Sequence, residues 1–338
     1  MKVQNLTLIT LTLFISLNHL SAQAAVINGA GSSLAMPLYS KWIAEYTAKN
    51  PTTKINYNSI GSGAGIREFL ANTVDFGATD APMKDEELKQ ATGEVLHIPV
   101  ALAAVVLTYN IPGYNKQLNL DAETIRNIYT GKITNWSDAA ITKLNPAAKL
   151  PKLAILPVYR ADGSGTTAVF SEYLSKADAT WKTEIGTGKS LNWPTGVGSK
   201  GNEGVSGTVK SSKGAIGYVE STYATENKLA TAKVKNEAGE FVGASLAGIS
   251  TAAASVDFPK DYRGSITYTK GKASYPISGV TWALVYKKIL NENGRDILAF
   301  FKHILGDGQK TAAKIGFAPV PDKLRTQLLV DLNGVTVK

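Results

Sequence analysis

The octapeptide Arg160-Ala161-Asp162-Gly163-Ser164-Gly165-Thr166-Thr167 packs the donors of an anion site into a few residues. The apolar run 153–159 before it reads as a buried strand, and Val169, Phe170, Tyr173 and Leu174 after it recur at helical spacing. A strand end therefore feeds directly into a helix start. A helix N-terminus carries unpaired backbone N–H groups and the positive end of the macrodipole, and small residues let an oxyanion approach them closely. Arg160 adds a permanent planar fork of donors, and Ser164 and Thr166 add hydroxyls. The guest that fits such a set is a tetrahedral anion. A plain surface turn capped by Asp162 or Ser164 would use the same residues.

Two further loops have the same character. Gly29-Ala30-Gly31-Ser32-Ser33 precedes the first helix and Gly61-Ser62-Gly63 the second, each offering backbone N–H groups and a hydroxyl after a strand. One Gly-Ser-Gly is weak, because turns and caps use the same residues. Three in one chain point to convergence on one small anion.

The elements that must position these loops alternate short β-like runs with amphipathic helices, which is the pattern of an α/β architecture with a largely parallel sheet. Leu34, Leu38, Trp42 and Tyr46 form one helical face, residues 54–60 read as a strand, and Ile66, Phe69 and Leu70 face inward on the next helix. A short strand over 74–78 runs out at Asp80. Ligands of open α/β sheets bind at such carboxyl ends of strands. Apolar runs at 103–110 and 275–286 read as two crossovers between lobes, so the first lobe is discontinuous, the second is an insertion, and the crossings form a hinge. Residues 232–272 lack periodicity and are expected to be a long excursion of the second lobe. Ile297, Phe300, Phe301 and Ile304, then Leu324, Leu328 and Leu329, read as helices covering the first lobe.

Bulk properties narrow the function classes. Residues 1–24 combine Lys2, an apolar centre over 6–17 and the ending Ala22-Gln23-Ala24, the order of a cleaved secretory leader. A membrane anchor is the alternative, but the apolar centre is shorter than the roughly 20 residues a spanning helix needs. The chain has no Cys, which excludes a lipid-modified cysteine at the cleavage site and means folding without disulfides. At 338 residues it is long enough for two domains and a large core. The formal net charge of +9 favours anionic partners. Nucleic acid is not indicated, since there is no run of five basic residues, no zinc-ligand spacing and no basic stripe interleaved with aromatics. The three histidines are His19, His97 and His303, so a metal centre is not expected and a His-based triad would have to use His97 or His303.

The chain resembles the periplasmic phosphate-binding proteins of high-affinity phosphate ABC transporters. The resemblance rests on Gly29-Ala30-Gly31-Ser32-Ser33, Ile60-Gly61-Ser62-Gly63, residues 72–82 (NTVDFGATDAP), residues 160–166 (RADGSGT) and residues 214–220 (GAIGYVE), in order along nearly the whole chain and weakest at 232–272. It implies a two-lobed periplasmic binding protein fold of type II-like organisation. Each lobe would be a mixed, mostly parallel sheet flanked by helices, with the ligand in the inter-lobe cleft. Lobe I is expected over 25–105 and 278–338, and lobe II over 106–277. The implied contacts to phosphate are Ser33, Leu34 through its backbone N–H, Ser62, Asp80, Arg160, Ser164, Gly165 and Thr166, with Asp162 orienting the Arg160 guanidinium. Leu34 departs from the pattern, which has an aromatic residue there.

A carboxylate such as Asp80 facing an anion makes sense if the ligand carries a proton. Hydrogen phosphate can donate to Asp80, whereas ionised sulfate leaves a buried charge repelled and unpaired. Asp80 could otherwise merely cap the turn at Ala81-Pro82, and Arg160 with Asp162 could be an ordinary ion pair. The expected role is a soluble, monomeric periplasmic receptor with no cofactor, delivering inorganic phosphate to membrane permease subunits without inserting into the membrane and without catalysis. Other readings are a binding protein for sulfate or molybdate, a secreted phosphate-ester enzyme, or a secreted, surface-associated factor. A dinucleotide site fits poorly: Gly163-x-Gly165-x-x-Ala168 with Glu184 matches a relaxed fingerprint but sets Asp162 beside the pyrophosphate path. Gly188-Lys189-Ser190 resembles a phosphate loop, yet Thr183 stands where its first glycine is required.

Overall fold

A computed structural model describes residues 25–338, so the leader expected over 1–24 lies outside the described residues. The chain opens as β1 (Ala25–Gly31), α1 (Met36–Lys49), β2 (Thr53–Ser59), α2 (Ser62–Leu70), β3 (Phe76–Thr79), α3 (Asp85–Leu88) and β4 (Val95–Tyr109). It continues through β5 (Asn119–Leu120), α4 (Ala122–Tyr129), α5 (Ala139–Leu144), β6 (Leu156–Arg160), α6 (Gly165–Ala177), α7 (Ala179–Glu184), β7 (Val197–Ser199), α8 (Gly201–Ser211), β8 (Ala215–Glu220) and α9 (Ser221–Glu226). Then follow β9 (Ala230–Thr231), β10 (Lys233–Lys235), β11 (Phe241–Val242) and α10 (Leu246–Ala254). The return comprises β12 (Ser278–Tyr286), β13 (Lys288–Ile289), α11 (Gly294–Leu305), α12 (Gly308–Lys314), α13 (Asp322–Asn333) and β14 (Thr336–Val337).

One mixed sheet runs β2-β1-β3-β12-β4-β8-β6-β7, with β9 also on β4. Its wings are parallel, β1 with β2 and β3 on one side and β6 with β8 and β7 on the other. Its centre is antiparallel, because the chain crosses outward along β4 and back along β12. The parallel character expected from the βα alternation therefore holds on the wings and not at the crossing. β4 has 15 residues; it pairs with β12 from Val95 to Ala104 and with β8 from Val105 to Tyr109. It is apolar almost throughout because both its faces are covered.

The first half buries the helical face expected of α1. Leu38, Tyr39, Trp42 and Tyr46 point inward, and the Trp42 indole donates to Gly308 O at 2.8 Å, tying α1 to α12. Ile297, Phe300, Phe301 and Ile304 form the buried stripe of α11, and Leu328 of α13 is buried with Leu324 and Leu329 half-buried. Two strands differ at their edges from the expected spans. Residues 153–155 are held by the 134–136 loop instead (Trp136 N–H to Leu153 O and Ile155 N–H to Thr134 O, both 2.9 Å), so β6 starts at Leu156. Asp75 turns back to donate its N–H to Asn28 O at 2.7 Å, so β3 starts at Phe76.

The 232–272 excursion is laced to both halves rather than to the second alone. After α10, Arg263 donates to Met83 O at 3.0 Å and pairs with Asp85 at 2.7 Å, and the Trp282 indole donates to Tyr262 O at 2.9 Å. On the other side Ser265 donates to Glu172 at 2.6 Å and Lys176 to Thr267 O at 3.0 Å. α10 buries Ile249, Ala252 and Ala253 on one short face, whereas the stretch after it is held by these hydrogen bonds with only Tyr262 and Ile266 of its apolar residues buried, which is too little to leave a periodic pattern in the sequence.

Trp42 is the test of how far α1 anchors the first half. Trp42→Ala removes a fully buried ring and orphans the Gly308 carbonyl, and the expected loss is about 3–5 kcal/mol. It should appear in urea titration as a lower midpoint at unchanged slope; a loss under about 1 kcal/mol would show that α12 packs without this anchor.

Candidate functional site

Four strand ends deliver the anion-type loops and Asp80 to one place. β1 ends at Gly31 and hands Ser32 and Ser33 to the start of α1, β3 ends one residue before Asp80, and β6 ends at Arg160 just ahead of α6. β2 ends at Ser59, and α2 then begins on Ser62 itself.

Of the expected site residues, Ser33, Ser62, Asp80, Arg160, Asp162, Gly165 and Thr166 are brought together there, and Leu34 and Ser164 are their chain neighbours. In the first half the Asp80 carboxylate is buried; Ser32 donates to Oδ1 at 2.5 Å and Ser62 to Oδ2 at 3.2 Å, and the Asp80 N–H donates back to Ser62 Oγ at 3.1 Å. In the second half Arg160 is buried, with its Nε donating to Asp162 Oδ1 at 2.8 Å and its Nη2 to Asp162 Oδ2. This is the bidentate fork that fixes a guanidinium plane. Its Nη1 remains turned inward and donates to Thr166 Oγ1 at 3.2 Å. Ser164 is the N-cap of α6, its hydroxyl oxygen accepting from the Thr167 N–H at 3.0 Å. Capping and anion-site readings are therefore compatible: the cap uses a lone pair and leaves the hydroxyl proton.

Asn202, at the start of α8, was not singled out in the sequence and joins the two halves. Its N–H and Nδ2 both donate to Ser33 Oγ, at 3.1 and 3.0 Å, and Nδ2 also donates to Thr166 Oγ1 at 3.1 Å. The Glu220 N–H donates to Asn202 Oδ1 at 2.8 Å, which orients the amide so that its NH2 faces the site. Ser33 and Thr166 each accept twice, which fills both hydroxyl lone pairs and leaves each O–H as a donor. The Gly201–Asn202 helix start after β7 repeats the strand, glycine, helix signal of the other loops, and that was the clue available. Tyr57 and Tyr223 also escaped notice; their hydroxyls donate to Ser32 O at 2.7 Å and Ser33 O at 2.6 Å.

Glycine is required where the halves touch. A Cβ on Gly165 would lie 2.5 Å from Ser62 Oγ and 2.6 Å from Asp80 Oδ2, and one on Gly61, already at φ +88°, would lie 2.3 Å from Asp162 Oδ2. The Gly63 N–H donates to Gly163 O at 2.8 Å, and at the rim Lys189 pairs with Glu87 at 2.7 Å. The Leu34 side chain is buried in the core and takes no part in these hydrogen bonds.

Burial pushes the Asp80 carboxyl up to about 6, although the hydroxyls of Ser32, Thr281 and Ser62 and the charge of Arg160 pull it partway back. Burial also pushes Asp162 upward, but Arg160 and the Gly201 N–H outweigh it and hold that carboxyl below its ordinary range. The histidines a triad would need are elsewhere. His97 accepts the Met83 N–H at 3.1 Å, with burial lowering it to about 4, and His303 lies against Tyr46. Among the described residues no group of three or more carboxylates and histidines is placed to hold a metal, and no helix is long and apolar enough to cross a membrane.

The family described as the PBP superfamily domain matches residues 19–305. The chain is 40% identical over 309 residues to "Phosphate-binding protein PstS" of Pasteurella multocida, covering 90% of this chain and 89% of that one. It is 42% identical over 306 residues to the protein of the same name in Xylella fastidiosa, covering 89% and 83%. Its fold is similar to the periplasmic phosphate-binding protein PfluDING, solved with bound phosphate, at TM-score 0.75, 20% identity and coverage of 92% and 98%. It is also similar to a phosphate-binding protein from Stenotrophomonas maltophilia at TM-score 0.68, 19% identity and coverage of 91% and 94%. These likenesses agree with the two-lobed architecture.

The buried acid gives a pH test. Raising Asp80 from 3.8 to about 6 means that the unfolded chain releases the proton first, so stability falls as pH rises through that window and stays lower above it. Asp80→Asn removes the ionisation. In oxyanion-free buffer its unfolding free energy relative to wild type should improve by on the order of 1–3 kcal/mol between pH 4 and pH 8. A difference that does not change with pH would mean that Asp80 ionises in the folded protein as easily as in water.

Proposed function

The chain belongs to the PBP superfamily, alongside the phosphate-binding proteins named PstS, and from that membership we propose that it is a periplasmic receptor that takes up hydrogen phosphate between two lobes and passes it to an ABC permease. One observation carries the reading: Ser32 and Ser62 of the first half hold one buried acid, while Asn202 of the second half donates to Ser33 and, together with Arg160, to Thr166, so hydroxyl, guanidinium and helix-start donors of both halves are gathered beside that acid. Ser33, Leu34, Ser62, Ser164, Gly165 and Thr166 supply hydroxyl or backbone N–H donors, Arg160 supplies charge, Asp162 holds Arg160 in plane, and Asp80 accepts the ligand's proton. Lobe I comprises 25–105 and 278–338 and lobe II 106–277, with β4 and β12 as the crossings between them.

In this cycle the ligand closes the lobes because it makes its full set of bonds only in the closed state. The Gly63–Gly163 backbone contact and the Lys189–Glu87 pair support such a closed state. No covalent step is involved, and the site is completed within one chain, so a monomer suffices. Export by a leader cleaved near Ala24 places the receptor in the periplasm, where the closed form docks on the permease.

Asp80 decides between phosphate and sulfate. As an acceptor it pairs with a protonated oxyanion and repels an ionised one, and a site that demands one hydrogen bond can reject the analogue by about 10⁴–10⁵. Below about pH 6 the acid takes up its own proton and can donate to sulfate instead. Calorimetry on ligand-free protein should therefore show sulfate affinity rising as pH drops from 8 to 5. Sulfate affinity that is flat over that range would remove Asp80 from the discriminating role. Arg160→Ala deletes a charge-assisted fork, and phosphate affinity should fall by at least about 100-fold. Near-normal binding in that variant would refute the assignment of the site.

A further inference from the structure

We infer that the far end of the second lobe carries a separate, open anion site, a lysine-lined groove that takes linear chains of closely spaced phosphate groups such as inorganic polyphosphate. The register of the sheet sets it apart from the cleft. β4 ends with Tyr109 opposite Ile216 near the start of β8, and β6 begins with Leu156 opposite Ala215. The cleft lies past the other end of β6, at Arg160. The length of that strand, roughly 15 Å, separates the two places.

The groove is about 930 Å³, and Lys116, Lys149 and Lys233 stand on its walls with Tyr114, Asn115 and Gln117. A second groove of about 380 Å³ shares Tyr114 and Asn115 and adds Lys228. No carboxylate lines either one. The cause is visible in the chain, which has no Asp or Glu between Glu94 and Asp121 or between Asp138 and Asp162. All four lysines are exposed, and none is among the ion pairs of the described residues, in contrast to Lys176, Lys189, Lys287 and Lys310.

The walls are fixed in advance. Tyr109 OH donates to Lys116 O at 2.6 Å and accepts the Leu118 N–H at 2.9 Å, the Lys233 N–H donates to Leu118 O at 2.7 Å, and Asn119 and Asn145 exchange hydrogen bonds of 2.7 and 2.9 Å. Cationic side chains on a preset concave frame lose less on binding than the same lysines on a mobile loop.

The geometry selects the ligand class. Lysines act as point charges rather than planar forks, and the groove is far larger than one phosphate, so it suits a string of them. The aromatics on these walls are Tyr114 and, in the smaller groove, the buried Tyr109, too few exposed rings for the stacking that single-stranded nucleic acids use. Of the exposed large apolar residues Val26, Val197, Leu246, Leu290 and Val330, none lines the groove, so a lipid surface would find no anchor there.

The test uses wild-type protein saturated with orthophosphate, so that the cleft is already occupied, and titrates it with linear polyphosphate freed of orthophosphate. Binding is expected at about 50 mM salt, weakening as salt rises because counterions are released. Replacing the four lysines by glutamine (K116Q, K149Q, K228Q, K233Q) should weaken it at least tenfold and flatten the salt slope by about 3, while orthophosphate affinity and the thermal midpoint stay put. Arg160→Ala should keep polyphosphate binding while losing orthophosphate, which separates this inference from the cleft assignment. No wild-type binding, a fourfold variant that binds as well, or loss of polyphosphate binding in Arg160→Ala would overturn it. So would tighter binding of single-stranded DNA of equal charge, or binding only to anionic phospholipid vesicles.

Discussion

Asp80 is a buried carboxylate set among helix-start loops, and the surrounding structure makes that placement tolerable. Removing a carboxylate from water is costly unless its oxygens are hydrogen-bonded, and here Ser32 and Ser62 serve one oxygen each while Arg160 contributes charge from the opposite half. Arg160 in turn cannot collapse onto Asp80, because Asp162 holds two of its nitrogens and Thr166 meets the third. Carboxylate and guanidinium are thus each satisfied by other groups rather than by each other.

That arrangement depends on two halves meeting at close quarters. Glycines at 61, 63, 163 and 165 let the backbones come together, and any side chain at 61 or 165 would strike Asp162, Ser62 or Asp80. Asn202 and Tyr223 reach across from the second half to Ser33, so the loop after β1 is positioned by residues about 170 and 190 places away in the chain. The sheet makes this possible. β4 and β12 run side by side through the junction, one pairing onward with the second half and the other with the first, so the halves share a frame without sharing a chain segment at the site. The 255–277 strap is bonded to both sides as well.

The parts of the site that could be read from the sequence are those written in consecutive residues. The run from Arg160 to Thr167 contains its own ion pair, its own cap and its own helix start, all formed within a few positions of one another. Apolar stripes such as that of α11 are equally local, since helical spacing alone decides which side is buried. Strand edges were less legible, because β6 and β3 each begin where a distant loop stops competing for the backbone. Ser32 carries no local sign that it partners Asp80, and Asn202 stands in a Gly-Asn helix start of ordinary composition. Their importance comes from contacts 48 and 169 residues away.

By itself the sequence determined the chemistry: small loops at helix starts, one fixed cation with its acid, one extra carboxylate, and an α/β alternation able to present them at strand ends. Only the tertiary structure decided that these groups gather in one place, that Asn202 and Arg160 fill the lone pairs of Ser33 and Thr166, and that the sheet is antiparallel at its centre. The physical reason is range. Caps, turns and amphipathic faces are set by neighbours within about one helical turn, whereas the convergence of donors is set by pairing across a sheet and by close backbone contact between halves.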